Sequence, residues 1–240
     1  MYCGRIVAAF KECEKSGKGK NDDTFHGKFT LKKRPYLGPT STDHELAFMM
    51  ANQANIQAGD LVYEPFVGTG SIALALQYFG ACVIGADLDM RVLKGYAVGG
   101  KTRNKGIAGL DKIKQFDVRT NFLHYKLPLP DFLAMDVSCV MFNTKEKELS
   151  NGRTLGVRPV FDAIVCDPPY GVRARSQKAG VKESRKDKEK KQPKNPTEDM
   201  PYFGMKEHFD FVELHEHLLD LAAILLRPGG HLVFLFHTDE

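Results

Sequence analysis

From residue 42 onward the apolar positions of the chain switch between two rhythms, one helical and one strand-like. Leu46, Met49, Met50 and Ala54 recur at helical spacing behind Thr42-x-x-Glu45, a capping box, so a helix is predicted to begin at Thr42 and to stop before Gly59. DLVYEPFVGTG (Asp60–Gly70) is a short apolar strand that breaks into a glycine turn; Ile72, Ala75, Leu76 and Phe79 then mark one face of a second helix. CVIGADLD (Cys82–Asp89) is the next strand. A weaker helix over about Met90–Arg103 is interrupted by Gly95, Gly99 and Gly100. IKQFDV (Ile113–Val118) gives a third strand and FDAIVC (Phe161–Cys166) a fourth. Leu214, Leu218, Leu221, Ala222 and Leu225 form a helical stripe closed by Arg227-Pro-Gly-Gly, and HLVFLF (His231–Phe236) is the fifth strand.

Strands alternating with helices predict an α/β fold, a doubly wound and mostly parallel sheet whose ligands sit outside the carboxyl ends of the strands. The expected organisation is an N-terminal lead-in over residues 1–35, which has little periodic pattern, and one domain over 36–240. Within that domain a basic loop over 174–200 is expected to be mobile.

Composition narrows the class. The chain has 240 residues and is 42% hydrophobic, enough for one large core. Its apolar runs fall well short of a membrane span, and MYCGRIVAAF lacks the apolar region of a secretory signal, so no membrane contact is expected and the cytosol, or the nucleus, is the expected location. Five cysteines without a Cys-x-x-Cys pair argue against a disulfide framework and a structural zinc site, and no metal is expected. The net charge of +4 is unevenly spread. Arg173–Lys194 holds ten Lys/Arg against three acids, a local +7, which leaves the remainder at −3. Any phosphate contact is therefore expected near that segment.

The glycine turn and the acids at the strand ends suggest a ligand. Gly68 and Gly70 stand between a strand and a helix, where bare backbone lets a ligand approach the helix N-terminus. The third glycine of a dinucleotide fingerprint is missing, and no Gly-Lys-Ser/Thr follows, so nothing is specialised for pyrophosphate or triphosphate. Asp87, ending the second strand, can accept both hydroxyls of a ribose, and Asp117, ending the predicted third strand, can accept from an adenine amino group. A nucleoside without phosphate fits this set. S-adenosylmethionine is such a molecule, and its positive charges favour an acidic pocket to which Glu64 contributes.

Asp167-Pro168-Pro169-Tyr170-Gly171 follows the fourth strand directly. An exocyclic amine on a planar base is a poor nucleophile, and it must be held in line with a methyl donor with its N–H bonds aimed at acceptors. Asp167 offers a carboxylate and Pro168 a carbonyl. The prolines present no competing N–H and stiffen the loop. Tyr170 offers a face for stacking, worth about 1–3 kcal/mol in nucleic-acid sites.

With those motifs in view, the chain resembles class I S-adenosylmethionine-dependent amino-methyltransferases that carry Asp-Pro-Pro-Tyr, and most closely the tRNA (guanosine-10-N2) methyltransferases. KKRPYLGPTSTDHELAFMMANQA, EPFVGTG, GADLD and FDAIVCDPPYGVR carry the likeness in order and spacing. The resemblance implies a Rossmann-like methyltransferase sheet and methyl transfer from S-adenosylmethionine to the N2 amine of a guanosine in tRNA. It implies that Thr40 and Ser41 approach the methionine end of the cofactor, Gly68 and Gly70 line its pocket, Asp87 takes the ribose, and Asp167 with Tyr170 grips the guanine. Arg173 and Arg175 would meet RNA phosphate, and a small zinc-binding activator subunit would cover apolar surface.

Three departures from that pattern are expected to matter. Glu64 stands where Asp is usual, no THUMP-type RNA-binding domain precedes the catalytic part, and the sheet lacks the last two strands of the family order, leaving HLVFLF as an apolar edge. Two other functions remain open on the sequence. Asp-Pro-Pro-Tyr suits any planar amine, so an adenine N6 methyltransferase acting on DNA or RNA is one. A truncated, catalytically silent module that binds cofactor or partner is the other.

Overall fold

The computed structural model describes residues 25–38, 40–96, 101–102, 116–138, 147–148, 154–155, 159–170, 177–179, 206–208 and 210–236. Its centre is a five-stranded sheet built from β1 (Leu61–Glu64), β2 (Cys82–Asp87), β3 (Asp131–Ala134), β4 (Phe161–Cys166) and β5 (Leu226–Phe234). The strand order is β5-β4-β1-β2-β3, and every pairing is parallel. Reading outward from β1, the chain fills one side of the sheet and then crosses to the other. That reversal leaves a crevice beyond the carboxyl ends of β1 and β4.

Side-chain alternation on the two central strands explains why helices cover both faces. Val62, Ala163 and Val165 point to one face and pack with α1 (His44–Gln53), α2 (Ser71–Tyr78) and α3 (Val118–Tyr125). Tyr63, Ile164 and Cys166 point to the other and pack against Leu214, Leu218, Leu221 and Leu225 of α4 (Phe211–Leu225). Both strands are thus apolar on each side, as a sheet buried on both faces requires. The turn from α4 into β5 is tied down by the Arg227–Asp162 ion pair, and the other carboxylate oxygen of Asp162 accepts from Leu61 N at 2.8 Å.

Several expected boundaries move. The N-cap of α1 is Asp43, which accepts from Glu45 N, and not Thr42. Of the helix predicted over Met90–Arg103, a single turn forms, Met90–Leu93, while residues 97–100 and 103 lie outside the described residues. Gly95 ends it with φ +75°, and a Cβ there would lie 1.9 Å from the Phe116 carbonyl oxygen. Lys101–Thr102 pairs antiparallel with Tyr36–Leu37 instead of continuing that helix.

The predicted third strand, Ile113–Val118, is also corrected over Phe116–Val118, which is not strand; residues 113–115 lie outside the described residues. Asp117 is the N-cap of α3 through a reciprocal pair with Thr120, and the true third strand, β3, lies some fourteen residues later at Asp131. Val118, Phe122 and Tyr125 recur at helical spacing, a period that outweighs the short apolar run before them. The end of the lead-in belongs to the core: Phe29 is 1% exposed and touches the rings of Phe48, Tyr78 and Tyr125 at 5.0–5.2 Å. Of the basic loop, Gln177–Ala179 pairs antiparallel with Lys206–His208, and the rest lies outside the described residues.

Candidate active site

The loops after β1, β2, β3 and β4, together with the segment leading into α1, enclose a cavity of about 450 Å³. Each wall has a local cause. After β1, Val67 N donates to Ala86 O at 2.8 Å and Gly70 N to Val67 O at 2.7 Å, which folds the chain back over β2 before α2 starts. Gly68 takes φ +52°, and a Cβ there would meet nothing closer than 4.0 Å, so the turn is open to a ligand. Gly70 is different: at φ +80° its missing Cβ faces Val118 and Phe122 at 3.0–3.1 Å. Gly70 is thus packed against α3 and is not among the residues that border the cavity.

Glu64 ends β1 and is 1% exposed, yet it borders the cavity. The backbone N–H of Ala73, in the first turn of α2, hydrogen-bonds its carboxylate. Burial pushes the Glu64 carboxyl well above its ordinary value; the helix N–H works against that rise, and the nearby Asp87 and Asp167 charges add to it. Its Oε2 has no hydrogen-bond partner. A buried carboxylate oxygen left in this state on a cavity wall suits a cationic donor group entering the cavity.

Asp87 ends β2. Its Oδ2 accepts from Gly68 N at 2.9 Å and its Oδ1 from Asp89 N at 2.7 Å, so this acid also sets the shape of the glycine turn. Asp89, beside it on the wall, holds Arg91 through two bonds of 2.6–2.9 Å. Asp136 follows β3 and is 6% exposed, with Oδ1 accepting from Ser138 N and Oγ at 2.8–2.9 Å. Asp136 lines the cavity and Asp117 does not. Asp117, expected to meet a ligand, is instead occupied by Thr120 at 3.1 Å and by Arg119 at 2.9–3.0 Å, away from the cavity lining. The signal for Asp136 was available in DFLAMD, an apolar run ending in an acid as VIGAD and AIVCD do.

Asp167, Pro168, Pro169 and Tyr170 continue from β4 along the opposite wall. The segment before α1 joins the two walls. Ser41 Oγ lies 2.9 Å from Thr69 Oγ1 in the glycine turn, and Thr42 Oγ1 donates to Asp167 Oδ2 at 2.9 Å. Thr40, exposed, borders the same opening. Further back, Asn121 of α3 accepts from Tyr36 N and donates to Tyr36 O and Thr69 O, and the buried Arg34 donates to Ser71 Oγ.

Of the residues expected at a site, Thr40, Ser41, Glu64, Gly68, Asp87, Asp167, Pro168 and Tyr170 share this one cavity. Arg173 and Arg175 lie outside the described residues. Five carboxylates, Glu64, Asp87, Asp89, Asp136 and Asp167, line the walls, and among the described residues no Lys, Arg or His does. Such a cavity repels phosphate and attracts a cation.

A parallel sheet of this order, helix-covered on both faces and carrying a glycine turn, strand-end acids and Asp-Pro-Pro-Tyr at one crevice, is a Rossmann-like fold. Comparison with known proteins makes the likeness particular: the chain is homologous to curated tRNA (guanine(10)-N(2))-methyltransferases. It is 32% identical to the Dictyostelium discoideum protein TRMT11 over 99% of its own length and 38% of that protein's. It is 34% identical to the Homo sapiens protein TRMT11 over 86% and 40% respectively. The chain thus spans about two fifths of the length of the curated relatives it matches. Among solved structures, TrmN from Thermus thermophilus is 23% identical and has a TM-score of 0.43, with 82% of this chain and 39% of that one covered. No protein-family model matches the chain. Among the described residues no helix is long and apolar enough to cross a membrane.

Proposed function

We propose that this chain transfers a methyl group from S-adenosylmethionine to the exocyclic N2 amine of a guanosine in tRNA. The observation that carries the reading is a cavity whose charged lining residues, among those described, are all acids and which is bordered by both Gly68 and Asp167, in a chain homologous to enzymes of that name. When bound, the cofactor would supply an electrophilic methyl group on a sulfonium.

The chain's own residues would do the rest. Glu64, buried and short of one partner, faces the positive charge of the ligand, and Asp87 and Asp136 accept from its ribose and adenine. Gly68 leaves room at the N-terminus of α2, and Thr40 and Ser41 border the methionine end. Asp167 and the Pro168 carbonyl accept the two N–H bonds of the guanine amine, and Tyr170 stacks on the base. Arg173 and Arg175, next along the chain, meet RNA phosphate.

A small zinc-binding activator subunit, implied by the resemblance, would cover apolar surface on α4 and after β5, where Val212, Leu219 and Phe236 are 53–62% exposed. Co-expression with that subunit should raise soluble yield, and an unchanged yield would count against the partnership.

The function is tested by supplying labelled S-adenosylmethionine and unmodified tRNA, digesting the RNA and identifying the labelled nucleoside. N2-methylguanosine is expected. Label in N6-methyladenosine, or cofactor binding with no label in RNA, would overturn the reading in favour of an adenine enzyme or a silent binding module.

A further inference from the structure

Two consecutive hydroxyls ahead of α1 reach opposite walls of the cavity. Ser41 Oγ accepts from Gly38 N at 3.1 Å and lies 2.9 Å from Thr69 Oγ1, on the glycine-turn side. Thr42 Oγ1 donates to Asp167 Oδ2 at 2.9 Å, on the Asp-Pro-Pro-Tyr side, across 125 residues of sequence. The sequence pattern assigns Thr42 to helix capping, but Asp43 performs that task, so the Thr42 hydroxyl is left free of local duty. Tyr36 N and O, both bound to Asn121, anchor the start of the same segment to α3.

We propose that Thr42 is a positioning residue: its hydroxyl fixes the rotation of the Asp167 carboxylate and, with Ser41, braces the methyl-donor wall against the acceptor wall. The proposal rests on the function assigned above. In-line transfer requires the acceptor nitrogen to be held at a set distance and angle from the donor, and a carboxylate free to rotate about its χ angles would spread that geometry. A donated hydrogen bond also favours the ionised carboxylate, which is the form that accepts from an amine. The other titratable groups facing Asp167, Glu64 at the end of β1 and Cys166 on β4, are unchanged by substitution at Thr42.

The test compares Thr42→Val, which keeps the shape and removes the hydroxyl, with Thr42→Ser, which keeps the donor. With labelled cofactor and unmodified tRNA, Thr42→Val should lose roughly 10-fold or more in kcat, the scale of one hydrogen bond to a charged group. Its KM for cofactor should stay within about 2-fold, and the acid limb of its pH–rate profile should move to higher pH. Thr42→Ser should restore most of kcat and the original limb. An unchanged kcat and limb in Thr42→Val, a loss carried wholly by cofactor KM, or a Thr42→Ser variant as impaired as Thr42→Val would each overturn the proposal.

Failure of the assigned function is told apart by the unsubstituted chain, which would then label no tRNA. The brace is still decided in that case by NMR titration of the Asp167 carboxyl carbon. Its midpoint should rise in Thr42→Val relative to the unsubstituted chain and stay in place in Thr42→Ser. Identical titrations in all three proteins would rule the contact out. Should Thr42→Val fail to fold, the same comparison with Thr42→Cys, a weak donor of similar size, replaces it.

Discussion

Two acids of the same type, Asp117 and Asp136, have opposite fates, and the difference is one of local geometry. Asp117 is spent on the first turn of α3, while Asp136 stands two residues beyond β3 on the cavity wall. Asp136→Ala should therefore weaken S-adenosylmethionine binding roughly 10-fold in calorimetry, together with a modest loss of stability from its two bonds to Ser138. Asp117→Ala should cost about 1 kcal/mol of stability through the lost cap and leave cofactor affinity intact. The reverse pattern would show that the third-strand acid is misassigned. Sequence spacing alone exposed the glycine turn, Asp87 and Asp167, because each ends an unmistakable apolar strand. It passed over Asp136 because an earlier acid-ended run, IKQFDV, competed with DFLAMD for the third strand, and DFLAMD is short and half-exposed.

Glu64 sets a pH dependence. Burial raises its carboxyl above the ordinary value of 4.5, so the folded chain resists losing a proton that the unfolded chain gives up readily. The native state thus holds more protons above that pH, and stability contributed at this position falls as pH rises from 4.5 toward the raised value. In the ligand-free chain Glu64→Gln should melt higher than the unsubstituted protein at pH 7, with the gap closing as pH falls to about 4.5. The same variant should bind cofactor more weakly. Equal melting temperatures at both pH values would mean that Glu64 is compensated in a way its surroundings do not suggest.

At the scale of elements, the segment Phe25–Leu37 illustrates what periodicity cannot see. It has a five-residue helix, Phe25–Phe29, one 3-10 turn and a two-residue strand, all too short to print a rhythm on the sequence. Its weight comes from contacts with rings contributed by α1, α2 and α3, which are 19 to 96 residues away along the chain. Phe29→Ala should cost about 3–5 kcal/mol in urea denaturation, the range for a buried phenylalanine. A loss under 1 kcal/mol would make the segment an appendage. The longer elements were legible because α1 and α4 each bury a stripe at helical spacing, α2 is buried nearly all round, and β1 and β4 are apolar on both faces.

At the scale of the molecule, charge is partitioned between an acidic cavity and a basic stretch. The cavity carries five carboxylates and, among the described residues, no cation, while Arg173–Lys194 carries a local +7. Under the proposed function, a cationic nucleoside and a polyanion would then be drawn to different parts of the chain. The parallel sheet accomplishes the rest by delivering the ends of β1 and β4, Glu64 and Cys166, adjacent in space but 102 residues apart in sequence, to one crevice.

The central claim, that Asp167 clasps the amine that receives the methyl group, is tested most directly by the rate of label transfer to tRNA from Asp167→Ala beside the unsubstituted chain, with cofactor binding measured on both. The account predicts a fall of roughly 100-fold or more in transfer, the scale of losing one preorganised polar contact, with cofactor affinity preserved. Equal transfer rates in the two proteins would contradict it.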